Sequence, residues 1–389
     1  MKDRPKITGI EVRQFEYQTK DVAPEPKLLI PFYQPGSVMM RRVNMLRIFT
    51  DAGVTGERLG GSASEYATLA AFLRSLIGRS AMDREAVYND AKYALQPSVR
   101  MAVGQVDMAL WDLAGKYYDA PVSELLGGYR TSLPTYASTY LADRQPGGLD
   151  CPEAFAEFAE QCLELGYLGF KTHPWPNTRV EEWIATNHAI ARQVGGKMDL
   201  MVDAYRTLQT FGDALKLGWS CDEEHFFWWE DPFMDGGISA FAHRKLRQLV
   251  RTPLLQMEHV RGLESHVDFI VADGSDFVRG DVDFDGGITG VLKIAHAAEG
   301  FGLDIELHKA GPAQRHLMSA IRNSNYYEMA LVHPRVPATS LPFYKCDYKD
   351  GLDAIDRNGC VSVPEGPGLG VTYDWDYINK HTTSVVTYD

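Results

Sequence analysis

The 389-residue chain is first narrowed by what it lacks. Its five cysteines, Cys151, Cys162, Cys221, Cys346 and Cys360, are odd in number and form no C-x-x-C pair. That argues against a disulfide framework and a thiolate zinc site, and suits a reducing compartment. No apolar run is long enough to span a bilayer. The opening "ITGIEVRQFEY" alternates like a strand and carries no apolar block of a secretory signal, so a cytoplasmic protein is expected. Lysines and arginines do not cluster, and the net charge is −13. Nucleic acid and anionic membrane are therefore poor partners, although local cations or a metal still allow an anionic small molecule in one pocket.

What is present is a change of texture along the chain. Early on, "ITGIEVRQFEY" and "VNMLRIFTDAGVTGE" read as strands, and the proline-rich, polar "TKDVAPEPKLLIPFYQPGS" between them reads as a mobile loop. "SEYATLAAFLRSLI" and "VGQVDMALWDLAGKYYDAPVSELLGG" follow with helical apolar spacing. From Leu133 onward, eight short apolar runs alternate with amphipathic stretches. They are "LPTYAS", "LGFKTH", "DLMVDA", "FFWWEDP", "LLQMEHV", "DFVRGDV", "LDIELHK" and "NYYEMAL". This pattern predicts an α/β fold with a closed parallel barrel. The alternative, an open doubly wound sheet, lacks a G-x-G-x-x-G after its first strand. The tail "CVSVPEGPGLGVTYDWDYI" drops the repeat and is expected to pack back on the first part. Three parts result: an N-terminal α+β domain over residues 1–128, a barrel over 129–345 and a returning segment over 346–389.

In a barrel, polar residues at the C-terminal strand ends converge on one site. Here those residues are Lys171 and His173, Asp203, Glu230, Glu258, Asp281, His308 and Glu328, each about one strand–helix unit apart. Any one of them alone would read as a solvated strand-end group. Three consecutive strands, however, end in carboxylates, Asp203, Glu230 and Glu258. Their mutual repulsion is relieved by a hard divalent cation, and all-oxygen ligands point to Mg²⁺. Lys171 and His173 share one face of their strand. Asp281 beside His308 would fix the imidazole tautomer and make a general base. Acid/base groups flanking a metal suit proton abstraction next to a carboxylate.

The motifs "VDAY", "WWEDP", "MEH", "GDVDFDGGITG", "LHKAG" and "PGLG", with the long helical segment, together resemble the enolase superfamily, mandelate racemase/muconate lactonizing enzyme group, over nearly the whole chain. The resemblance implies a (β/α)7β TIM-like barrel with an N-terminal capping domain completed by the C-terminal segment. It implies Asp203, Glu230 and Glu258 as Mg²⁺ ligands, His308 paired with Asp281 as general base, and Glu328 as a protonated donor to the substrate carboxylate. In "GDVDFDGGITG", Asp283 and Asp285 are left to the turn, where Gly286 and Gly287 reverse the chain.

One departure is Lys171-Thr172-His173, where many relatives carry K-x-K; His173 stands in place of their second acid/base, and either plays that part or only binds a substrate hydroxyl. Another is Tyr205, where some sugar-acid dehydratases of the group have histidine. Abstraction of the α-proton to an enediolate, followed by loss of water from a sugar acid, is the expected reaction, because one base and one acid suffice for it. A cycloisomerase acting on a sugar-acid lactone or anhydro sugar acid comes next, then a racemase or epimerase. A catalytically silent relative is the alternative outside enzymes. Tyr33, Tyr205, Arg206 and Lys309, with Arg41, Arg42 and Gln314 nearby, are the expected substrate contacts. The expected partners are a small sugar-acid carboxylate and further copies of the chain, from dimer to octamer.

Overall fold

A computed structural model describes residues 4–27, 30–95, 102–234, 236–336 and 341–389. Alternating β-branched, aromatic and polar residues build the first sheet. Strand β1 (Ile7–Pro24) pairs antiparallel with β2 (Pro31–Thr50), and β3 (Thr55–Leu59) adds to β2. The stretch expected to be a mobile loop is mostly the far end of this ribbon: Val22 faces Tyr33, Ala23 faces Phe32 and Pro24 faces Pro31. Leu28 and Leu29, part of the same stretch, lie outside the described residues. The prolines fit because they occupy the last rung, where a missing N–H interrupts no interior ladder. A register shift at Asp21, with φ of 59°, is held by its carboxylate, which accepts from the Gly36 N–H at 2.7 Å. The ribbon tip reaches the barrel, where Phe32 bridges Leu141 and Lys27 donates to Asn177.

Helix α1 (Ala63–Arg74) opens on a capping box in which Ser62 and Glu65 each accept the other's backbone N–H. After α2 (Arg84–Ala94) comes α3 (Val103–Tyr118), buried along most of its length. The short α4 (Val122–Leu125) leads into the barrel.

The barrel then alternates β4 (Ser132–Thr139), α5 (Pro152–Leu165), β5 (Gly169–Thr172), α6 (Val180–Val194), β6 (Asp199–Asp203), α7 (Phe211–Glu223), β7 (Trp228–Glu230) and α8 (Ala240–Arg247). It continues through β8 (Leu254–Gln256), α9 (Gly262–Val271), β9 (Phe277–Gly280), α10 (Gly287–Gly300), β10 (Asp304–Leu307), α11 (Pro312–Ala320) and β11 (Tyr327–Val332). Every predicted run holds one of these eight strands. The strands pair in parallel in sequence order, and β11 returns to pair with β4, so the sheet curls on itself. Side chains bridge the seam between β10 and β11: Glu306 accepts from the backbone N–H groups of Asn325 and Tyr326 at 3.0 and 3.2 Å.

Most of the core lies between strands and surrounding helices. Inside the barrel a smaller plug forms from Tyr136, Met201, Trp228 and Leu255. Two residues beyond three of these, on the same inward face, stand Ser138, Asp203 and Glu230. The apolar plug thus forms the floor on which the polar layer rests.

After β11 the chain forms β12 (Cys360–Ser362) against β4, α12 (Trp375–Lys380), and β13 (Thr382–Tyr388), which joins the free edge of β1. A cluster of Phe15, Met45, Phe343, Tyr373 and Ile378 ties this return to the first sheet. Among the described residues no helix is long and apolar enough to cross a membrane.

Candidate active site

The strand register assembles the polar layer. Asp203 stands opposite Glu230 in the β6–β7 ladder, and Lys171 opposite Ser138 in β4–β5. The β9–β10 ladder runs one step further, with the His308 N–H donating to the Gly280 carbonyl at 2.8 Å. That step sets Asp281 beside His308, and Asp281 Oδ2 lies 2.5 Å from His308 Nδ1. Asp281 accepts there, so Nδ1 carries the hydrogen and Nε2 keeps its lone pair. Nε2 has no hydrogen-bond partner among the described residues; the Glu258 carboxylate is 3.6 Å away. Burial pushes the imidazole down to about 3 and the Asp281 carboxyl up to about 6. His308 is therefore a neutral base at neutral pH.

Asp203, Glu230 and Glu258 each bring one oxygen within 4.8 Å of the others. Burial pushes Glu230 up to about 8 against the pull of Arg279 and Lys171, and Asp203 and Glu258 add to the push. A cation among the three oxygens removes that penalty, and an all-carboxylate set suits a hard divalent ion. The residues present therefore fit a metal.

Lys171 is buried; its Nζ donates to Glu230 Oε2 at 2.7 Å and stands 2.9 Å from Glu328 Oε1. Burial works against its charge, but Glu230 and Glu328 hold its pKa well above the usual lysine range. His173 Nδ1 lies 2.7 Å from the Thr139 carbonyl and Nε2 3.0 Å from Asp203 Oδ2. Both partners accept, so the ring makes both bonds only when doubly protonated. Burial raises the Asp203 carboxyl, yet His173 holds it well below the ordinary carboxylate range.

Glu328 departs from its expected protonated role. Oε1 accepts from Ser138 at 2.9 Å, and Oε2 from Arg279 at 2.9 Å and from the Lys309 N–H at 2.7 Å. Despite burial, Lys171 and Arg279 hold its pKa well below the usual range. An anion whose oxygens are both occupied cannot act as the expected hydrogen-bond donor.

A cavity of about 710 Å³ opens above this layer at the barrel mouth, roofed by the β1–β2 ribbon. Lys171, His173, Asp203, Tyr205, Glu258, His308, Lys309 and Glu328 all face it. Four expected substrate contacts do not. Tyr33 turns away to stack on His333, with ring centroids 4.5 Å apart, and Arg206 lies over the Tyr205 ring. Arg42 pairs with Glu16 on the solvent face, and Gln314 is buried outside the cavity wall.

A family model for the mandelate racemase/muconate lactonizing enzyme N-terminal domain matches residues 18–127, and one described as enolase C-terminal domain-like matches 154–377. The chain belongs to the enolase superfamily. The solved structure of D-glucarate dehydratase from Agrobacterium tumefaciens, complexed with magnesium, superposes on this superfamily member with TM-score 0.90 and 30% identity, covering 97% of this chain and 99% of that one. D-galactarolactone cycloisomerase of Agrobacterium fabrum is 28% identical, over 96% of this chain and 98% of its own. D-xylonate dehydratase of Haloferax volcanii is 24% identical over 87% and 84%.

This enolase-superfamily site also holds residues that the sequence reading passed over. Arg279 is fully buried, with Nε 2.9 Å from Glu230 Oε1. It sits two positions before Asp281, so the rule that paired Lys171 with His173 would have placed it inward too. Asp231 and His259 form a second acid–imidazole pair 3.2 Å apart beside Glu258. Asp283, expected only to shape a turn, accepts from Arg58 at 2.5 Å and Gln105 at 3.1 Å, linking the cap to the barrel.

Proposed function

We propose that the chain removes the proton α to the carboxylate of a sugar acid and then expels the β-hydroxyl as water, acting as an acid-sugar dehydratase. Mg²⁺ is the cofactor in this reading, held by Asp203, Glu230 and Glu258. When bound it supplies positive charge for the substrate carboxylate as that group becomes an enediolate. The observation that carries the reading is the asymmetry of the two histidines. His308 offers a lone pair to the cavity and is backed by Asp281. His173 has both ring nitrogens engaged, so it offers no second base. One base on one face suits elimination: His308 takes the α-proton, and the same imidazolium returns a proton to the departing hydroxyl. The enol left behind ketonises to an α-keto acid. Lys171 and Arg279 keep Glu328 charged and hold both Glu230 and Glu328 in place.

The match to a cycloisomerase over nearly the full length of both chains supports the second reading, in which the same enolisation opens or closes a ring. Incubating the Mg²⁺-loaded protein with a panel of sugar acids in D₂O separates these outcomes. Dehydration gives an α-keto acid, cycloisomerisation an isomer of unchanged mass. His308→Asn is expected to abolish turnover and α-proton exchange, while His173→Asn retains measurable exchange. An equally dead His173→Asn would demand a two-base mechanism and sink the one-base reading. No exchange with any acid, together with no bound metal, would identify a silent relative.

A further inference from the structure

The cations facing the cavity are mostly accounted for. Lys171 meets Glu230 and Glu328, and His173 meets Asp203. Arg261 donates to the backbone carbonyls of Glu258 and Val260, and Lys309 stands 3.8 Å from Asp281. Arg41 differs. It lines the same cavity from the cap, half-buried, and forms no ion pair with a carboxylate among the described residues. Its placement follows from strand parity: Arg42 shares a face with its cross-strand partner Glu16 and pairs with it in solvent, so Arg41 and its partner Tyr17 take the opposite face, over the barrel mouth. Tyr17 and Tyr140 line the cavity with it, and burial, which raises both phenols, keeps them neutral.

A guanidinium drawn partly out of water without a counter-ion is costly, and its planar fork matches a carboxylate. Arg41 is carried by the roof, whereas Asp203, Glu230 and Glu258 stand on the barrel strands. It also stands where the cavity adjoins a second one of about 490 Å³; the two share Tyr17, Arg41, Tyr140, Ala330 and Leu331 in their walls. A substrate whose reacting carboxylate lies at the metal ligands would extend its other end toward this arginine.

We propose that Arg41 binds a second, distal carboxylate, and that the substrate is a dicarboxylic sugar acid in preference to the monocarboxylic acid of the same stereochemistry. This rests on the sugar-acid reading above. The test compares matched pairs, glucarate with gluconate and galactarate with galactonate, for the wild type, Arg41→Gln and Arg41→Lys, all loaded with Mg²⁺. The wild type should favour the dicarboxylate, and in Arg41→Gln the dicarboxylate-to-monocarboxylate ratio of kcat/KM should fall about 10- to 100-fold, chiefly through KM, as loss of one charge-assisted contact predicts. Arg41→Lys should recover part of the ratio. An unchanged ratio in Arg41→Gln, or a wild type without the preference, overturns the proposal even where dehydration is confirmed. Calorimetric binding of the same acids to His308→Asn, with and without Arg41→Gln, provides an arm independent of turnover. Dicarboxylate-selective binding that disappears with Arg41→Gln would uphold the arginine's role even if no acid were dehydrated. Absence of selective binding would overturn it.

Discussion

At the scale of single residues, the proposed reaction makes the His308–Asp281 pair govern how the site responds to pH. A general base works only when deprotonated, so activity rises with pH through its pKa. Burial lowers the His308 pKa to about 3, and a lowered pKa moves that rise toward acid. With Mg²⁺ saturating, kcat/KM should therefore hold steady as pH falls from 8 to the ordinary histidine value of about 6.5, and a limb below it would report the Asp281 carboxyl, which burial pushes up to about 6. A pH–rate profile with its acid limb at or above that value would show that the imidazole is not held neutral by burial. Parity made Lys171 and His173 legible in the sequence as a pair, because they lie two apart on one strand. Arg279 was overlooked because a single arginine inside an apolar run disturbs no periodicity. Whether Arg41 or Arg42 faces the cavity depends on strand register, which the chain alone does not reveal.

At the scale of elements, the turn from β9 into α10 joins the halves of the site. Gly287 has φ of 79°, and a Cβ placed there would lie 2.2 Å from Asp107 Oδ2, on the buried helix α3. Gly287→Ala should cost at least about 1–2 kcal/mol from the left-handed backbone alone, with the clash against Asp107 adding to it. Urea unfolding measures this, and an unchanged midpoint would contradict it. The glycine pair was readable from the sequence as a reversal, and the eight strands were readable as buried parallel runs. The cap ribbon was not. Pro24, Pro26 and Pro31 signal a loop locally, yet two of them close the last rung of a hairpin whose long-range pairing no local pattern records.

At the scale of the whole molecule, the charge of Glu230, penalised by burial and by Asp203 and Glu258 beside it, opposes folding until a cation joins the three. Mg²⁺ should therefore raise the melting temperature in a saturable way, with about 2.7 kcal/mol of stabilisation at a hundred times its Kd. EDTA should reverse the shift, and Glu258→Gln should weaken it. A melting temperature indifferent to Mg²⁺ would mean that Lys171 and Arg279 alone neutralise the cluster. Part of this balance was visible in the sequence as three acids at matched strand ends. The two buried cations that share it were less visible, because their charges are recognisable only once the barrel brings β5, β7, β9 and β11 together.

The seam of the barrel has one more consequence. Where β10 meets β11, Glu306 takes backbone hydrogens of Asn325 and Tyr326, and Glu328 takes that of Lys309, the residue after the base. The same clasp that shuts the cylinder therefore fixes the height of His308 above Asp203, Glu230 and Glu258. A change that loosens the seam is therefore also a change in where the imidazole stands.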